Sequence, residues 1–249
     1  MTAPASLRGH AALVTGSGRN IGRAIVLALA ARGCDVVVNT QSRGADAEAV
    51  AAAARKCGVS AIVALGDVGR VEDVRAIAKA AAELGTVDIV INNAAIRPRA
   101  PILEMTDEEW HRVIDVDLNS AYYTIKAFLP GMVARGWGRI VNITGMNAMQ
   151  GTHDGRAHVA AAKHGLWGLT KALARELGPK GITVNAISPG PILGEQQEHA
   201  AYISGQLGKI PVGRLGTPDD IARLTAFLVS DDGGFVSGQM IGVNGAAAT

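Results

Sequence analysis

Apolar residues along the chain follow two alternating rhythms. Short runs rich in Val, Ile and Ala occupy residues 11–15, 35–39, 61–65, 87–91, 139–143, 183–187 and 240–243. These runs are apolar nearly throughout instead of at every second position, the mark of strands buried on both faces. The longer segments between them carry apolar residues three and four apart, the period of helices packed along one side. Strand–helix alternation of this kind predicts parallel strands joined by crossover helices, so the expected architecture is α/β, a doubly wound seven-stranded parallel sheet flanked by helices. Two helices announce their ends. One, over 106–135, opens on the capping-box spacing Thr106…Glu109, and another, over 157–178, reaches Gly178 just before Pro179.

Composition narrows the picture without redirecting it. The 249 residues, 48% hydrophobic, contain no linker-like stretch or compositional break, so a single domain over 1–249 is expected. The formal charge of +2 arises from 24 basic and 22 acidic residues spread evenly, which gives no electrostatic reason to expect nucleic acid or a membrane surface as partner. A small-molecule partner is the expectation. Cys34 and Cys57 lack the spacing of a zinc site or a disulfide framework, so no metal is expected and a reducing, cytoplasmic compartment fits. The first ten residues do not read as a signal peptide, and no apolar run approaches the ~18 residues of a membrane span.

The first strand leads into Thr15-Gly16-Ser17-Gly18-Arg19-Asn20-Ile21-Gly22 and then an apolar helix. Glycines there permit a tight turn and close backbone approach, while free N–H groups at the helix start attract a diphosphate. Gly16, Ser17, Gly18, Arg19, Asn20, Ile21 and Gly22 are therefore candidate cofactor-binding residues; the plainer alternative is an ordinary glycine-rich turn. A site for NAD would place an acid near the end of the second strand, but the chain reads Asn39-Thr40-Gln41-Ser42-Arg43. Without a carboxylate, Arg19 and Arg43 are candidates to pair with a 2′-phosphate, which favours NADP with NAD as the alternative. As a competing reading, both arginines are solvated surface charges.

With these residues in view, the chain resembles the short-chain dehydrogenase/reductase family, and within it the 3-oxoacyl-carrier-protein reductase-like members. The glycine turn is similar to the family's, with Asn20 where a glycine is usual. Asp67 in Gly66-Asp67-Val68 resembles the acid beside the adenine, and Asn92-Asn93-Ala94-Ala95 resembles Asn-Asn-Ala-Gly. The segment Asn185 to Gly190 is similar to the one along the nicotinamide. The resemblance implies a Rossmann-type domain and cofactor contacts at Asn39, Asp67, Val68, Asn93, Lys163, Pro189, Gly190 and Ile192. It also implies a catalytic Asn, Ser, Tyr and Lys, whose positions here hold Asp117, Gly145, Val159 and Lys163. Only the lysine is kept, and the family's tyrosine, which exchanges the proton, is a hydrocarbon.

Substitutes for the missing groups are Thr144, which replaces the serine only if its strand bulges, and His158, turned ~100° from the face shared by Val159 and Lys163 on a regular helix. His153 is a further candidate. Asp117 is expected to pair with Lys163 and keep it charged, either as an acid–base couple or as a structural ion pair. Gly194 stands where the family often has a threonine on the carboxamide. The stretch after it, to Gly208, is expected to cover the site, with Tyr202 reaching substrate or packing on that lid. Met146, Met149 and Ile192 suggest an apolar pocket or, equally, core. Three functions stay open: an NADP-linked oxidoreductase with an unusual proton donor, a redox-neutral lyase, hydratase or isomerase, and a non-catalytic dinucleotide-binding scaffold. The resemblance implies a homotetramer or homodimer assembled through helices 106–135 and 157–178.

Overall fold

Buried β-branched runs become strands at seven places: β1 (Ala11–Val14), β2 (Asp35–Thr40), β3 (Ala61–Leu65), β4 (Ile89–Asn92), β5 (Gly138–Ile143), β6 (Ile182–Pro189) and β7 (Met240–Val243). The computed structural model describes residues 6–146, 155–194, 205 and 207–248. Strands β1, β4, β5 and β6 are buried at every position, which is why their sequences show continuous apolar runs. All seven form one sheet in the order β3-β2-β1-β4-β5-β6-β7, and every pairing is parallel.

Helices cover both faces: α1 (Asn20–Ala30), α2 (Gly44–Arg55), α3 (Val71–Ala81), α4 (Asp107–Ile114), α5 (Ser120–Arg135), α6 (Ala157–Leu177) and α7 (Pro218–Leu228). Ile25 and Leu29 of α1, Val50 of α2 and Ile221 of α7 close one core against the sheet. Val74 and Ile77 of α3, Ile125, Phe128 and Met132 of α5 and Leu177 of α6 close the other. Because β1 lies between β2 and β4, the chain turns to opposite sides after β1 and after β4, and a crevice opens at the carboxyl ends of these strands.

The helix expected over 106–135 is broken, which corrects that reading. It begins as foreseen, with Thr106 Oγ1 accepting from Glu109 N at 3.1 Å and Glu109 Oε2 accepting from Thr106 N at 3.0 Å. A π-helical turn, Asp115–Asn119, then separates α4 from α5. The wider turn brings Val116 and Asp117 into the interior as neighbours. Tertiary bonds hold it open: Asp117 Oδ1 accepts from Ile96 N at 2.8 Å, and Ser120 Oγ donates to Val116 O at 2.6 Å. π-turns of this kind often mark functional positions.

Among the described residues no helix is long and apolar enough to cross a membrane, and no cluster of His, Cys, Asp and Glu could hold a metal ion.

Candidate active site

At the mouth of the crevice the chain turns from β1 into α1. Gly16 adopts φ +61°, and a Cβ there would stand 2.9 Å from Ala94 Cα. A Cβ on Gly22 would lie 2.5 Å from Gly16 O and 2.6 Å from Ser17 Cα, so only glycine lets α1 start this close to the turn. Ser17 Oγ donates to Val14 O at 2.7 Å and locks the turn from below. The helix opens at Arg19, which provides no capping side chain, and its first turn carries no acid. The first internal bond is Arg23 N to Arg19 O at 3.1 Å, so the preceding amides have no intrahelical acceptor. That donor set and the helix dipole fit a diphosphate.

Asn39 and Asn93 supply the shape of this cradle. Asn39, buried at the end of β2, accepts from Gly16 N at 3.3 Å and donates to Ala64 O at 3.0 Å. Asn93 donates from Nδ2 to Thr15 O at 2.9 Å and to Gly16 O at 3.1 Å. Their amides are spent on the protein. Beyond the turn lies a cleft of about 350 Å³ lined by Gly18, Arg19, Arg23, Arg43 and Asp46 among others. Arg43 pairs with Asp46 at 3.3 Å, with both side chains about half exposed, so the bond is cheaply exchanged. Arg23 was missed from the sequence, although its place one turn after Arg19 was the available signal. Asp67 pairs with Arg112 at 2.8 Å and accepts from Gly69 N at 3.0 Å, while its neighbour Val68 is buried.

Asp117 and Lys163 meet on the other side of the crevice, at the ends of β4 and β5. Lys163 Nζ lies 3.2 Å from Asp117 Oδ2 and donates to Ile143 O at 3.2 Å. Both side chains are buried. Oδ2 makes no aligned hydrogen bond, so the contact is an ion pair through charge alone. Burial pushes the Lys163 ammonium below the ordinary lysine value; the Asp117 carboxylate opposes this and the nearby Arg97 charge reinforces it. A buried polar chain supports the pair from behind: Thr124 to Asn92 at 2.6 Å, Asn92 to Asn142 at 2.8 Å and Asn142 to Thr170 at 2.9 Å. It ties α5, β4, β5 and α6 together, fixing the wall that carries Lys163. Asparagines inside strand runs were the missed signal.

Thr144 does not join this group. Strand β5 stays in register with β6 as far as Ile143, without a bulge, and Thr144 Oγ1 donates to Ile187 O at 3.0 Å on the side of Met240. Next to it a Cβ on Gly145 would meet nothing within 4 Å, so space lies open there. Val159 is buried, as is His158, whose two ring nitrogens make no hydrogen bond. Burial holds His158 below its ordinary pKa, against the charges of Glu109 and Asp117, so it is neutral at pH 7.

Strand β6 ends on Pro189, and Gly190 N donates to Val243 O at 3.0 Å. A Cβ on Gly190 would come 2.6 Å from Asn244 Cα, which requires glycine. Ile192 then bridges Gly216 and packs on the α1 side core. A Cβ on Gly194 would stand 3.2 Å from Asn20 Oδ1, so the Asn20 amide, carried on a backbone at φ +49°, covers that position. Met149, His153, Tyr202 and nearly all of 195–206 lie outside the described residues.

Comparison with known proteins gives the same result by another route. Residues 16–246 match a family model described as enoyl-(acyl carrier protein) reductase. The 3-oxoacyl-[acyl-carrier-protein] reductase of Pseudomonas aeruginosa is 42% identical, over 96% of this chain and 98% of its own. The acetoacetyl-CoA reductase of Rhizobium meliloti is 43% identical, over 94% of this chain and 96% of its own. Among solved structures, a Serratia marcescens short-chain dehydrogenase/reductase variant superposes with a TM-score of 0.92 at 31% identity, covering 99% of this chain and 100% of its own. A dehydrogenase/reductase from Sinorhizobium meliloti gives 0.90 at 33%, covering 98% and 97%. Likeness of sequence and of fold thus extends over nearly the whole chain, which belongs to the short-chain dehydrogenase/reductase family.

Proposed function

We propose that the protein is an NADP(H)-binding oxidoreductase acting on a carbonyl or alcohol substrate, with Lys163 in place of a tyrosine as the proton-exchanging group. The observation that carries the nucleotide assignment is the cleft beside the glycine turn, where Arg19, Arg23 and Arg43 outnumber Asp46 and β2 ends without an acid. Guanidinium forks match phosphate oxygens, so a 2′-phosphate is favoured there over a bare ribose hydroxyl. The diphosphate falls to the α1 amides, and Pro189, Gly190 and Ile192 flank the nicotinamide end.

When bound, the dihydronicotinamide supplies a hydride to the carbonyl carbon. The substrate oxygen must then gain a proton, which in this reading leaves the Lys163 ammonium and is restored from solvent. A lysine whose pKa is lowered toward the working pH is a better proton donor than an ordinary one. Asp117 holds the amine in place, and the opening at Gly145 leaves room for substrate. Relatives named for 3-oxoacyl and acetoacetyl groups make oxo compounds the first to try.

Titration with NADPH and NADH tests the reading. NADPH should bind more tightly, and Arg43→Ala should weaken NADPH by about tenfold while leaving NADH unchanged. Tighter binding of NADH sinks the assignment. Gly145 and Val159, which supply no donor, favour a second reading as a non-catalytic dinucleotide-binding scaffold. Tight nucleotide binding with no absorbance change across a carbonyl and alcohol panel would select that scaffold. Product formed without nucleotide would select a redox-neutral enzyme working through Asp117, Lys163 and His158. In the leading reading the protein is cytoplasmic, a homotetramer or homodimer with α4, α5 and α6 against partner copies.

A further inference from the structure

The loop between β4 and α4 spans the mouth of the crevice on the Lys163 side and is tied down at both ends. Ile96 N donates to Asp117 Oδ1 at 2.8 Å, and further on Ala100 N donates to Gly155 O at 2.8 Å, where the chain enters α6. Between these ties lie Arg97, Pro98 and Arg99. Pro98 restricts the preceding residue to extended backbone, so Arg97 is presented in a set conformation. Its side chain is exposed, and no hydrogen bond or ion pair engages it among the described residues. It is nonetheless turned toward the site closely enough for its charge to act on the buried Lys163.

The local charges do not balance. Asp117 neutralises Lys163, and Arg97 is left as an unmatched cation beside the open space at Gly145. The arginines of the nucleotide cleft lie across the glycine turn, at the far end of the groove, and are not part of this set. A guanidinium on a pinned loop has little ordering cost left to meet when it binds, and its fork fits two oxygens of one anionic group.

We propose that the substrate carries an anionic oxygen group, a carboxylate or a phosphate, bound by Arg97 at the rim of the Lys163 chamber. This rests on the oxidoreductase reading for the identity of the reacting oxo or hydroxyl group, and it names the class of molecule that brings that group in. Substrate held at the rim by its anion reaches past Asp117 toward Lys163 with its neutral, reducible end.

The test uses matched pairs that differ only in the anion: pyruvate and methyl pyruvate, 3-oxobutanoate and its methyl ester, dihydroxyacetone phosphate and dihydroxyacetone. Binding of each to the full chain saturated with NADP is measured by ligand-observed NMR, in low salt and at 0.5 M salt. In at least one pair the anion should bind tenfold or more tightly than its neutral partner, with the gap shrinking in high salt. Splitting of the carboxylate pairs alone assigns a carboxylate, and splitting of the phosphate pair alone assigns a phosphate. Arg97→Gln should bring the anion down to its partner's affinity, with melting temperature and NADP affinity unchanged; Arg97→Lys should restore part of the gap. No gap in any pair, or a gap that survives Arg97→Gln, overturns the proposal. Failure of the wild-type chain to bind NADP would instead remove the oxidoreductase reading, and repeating the pairs on the nucleotide-free chain then judges the anion site alone.

Discussion

Lys163 is the residue on which most of the chemistry turns, and its state follows from two opposed effects. Burial disfavours the ammonium, while Asp117 at 3.2 Å favours it. Since the folded chain releases this proton below the ordinary lysine value, the unfolded chain holds more protons between the two values, and stability rises with pH across that interval. Asp117→Asn removes the favourable charge, so the folded pKa falls further and the interval extends downward. If Lys163 is the proton donor, the basic limb of the pH profile for NADPH-linked reduction should move to lower pH in Asp117→Asn. A profile that stays in place would make the pair purely structural. Lys163→Met leaves a buried carboxylate without its counter-ion and should cost about 3–5 kcal/mol in urea denaturation. Lys163→Met combined with Asp117→Asn should recover most of that, because the amide still accepts from Ile96 N.

Elements carry the next set of constraints, beginning with the turn into α1. Its two glycines face different surroundings, which gives a contrast. A Cβ on Gly22 meets backbone at 2.5 Å, and backbone cannot rotate away, so Gly22→Ala should force α1 from the turn, cost about 1–3 kcal/mol and abolish nucleotide binding. A Cβ on Gly18 meets Asp46 Cβ at 3.5 Å, an ordinary contact, so Gly18→Ala should fold normally; calorimetric titration with NADPH separates the two. Equal losses would mean that the turn is not the cradle. The strands of this sheet were legible within two residues because continuous burial writes continuous apolar runs, and the capping box at Thr106 was legible because it is local. The π-turn at Asp115–Asn119 was not. Helical periodicity persists on both sides of it, and what opens it is a bond from Ile96, distant in sequence. Thr144 could be anticipated from strand alternation, whereas the work of Asn39 and Asn93 on the glycine turn depends on which loops meet, which no local pattern records.

For the whole molecule, the open question is what the outer faces of α5 and α6 meet. Helix α6 buries His158, Val159, Ala162, Lys163, Leu166 and Thr170 toward the sheet and α4, leaving Ala161, His164, Gly168 and Lys171 outward. A Cβ on Gly168 would meet nothing within 4 Å, so within one chain this glycine relieves no crowding. It also weakens the helix by about 0.8–1 kcal/mol relative to alanine. A glycine that costs helix stability and fills no internal need is explained if another copy packs across it, since small residues let helices approach closely. On that reading Gly168→Arg leaves each chain folded, with a melting temperature equal to or above that of Gly168→Ala when both are compared as isolated chains. The same change places a long cation in the proposed contact. Light scattering of the wild type at micromolar concentration should give a multiple of 25.6 kDa, and Gly168→Arg should give a smaller one. A wild-type monomer would refute the assembly, and an oligomer indifferent to Gly168→Arg would move its interface off α6.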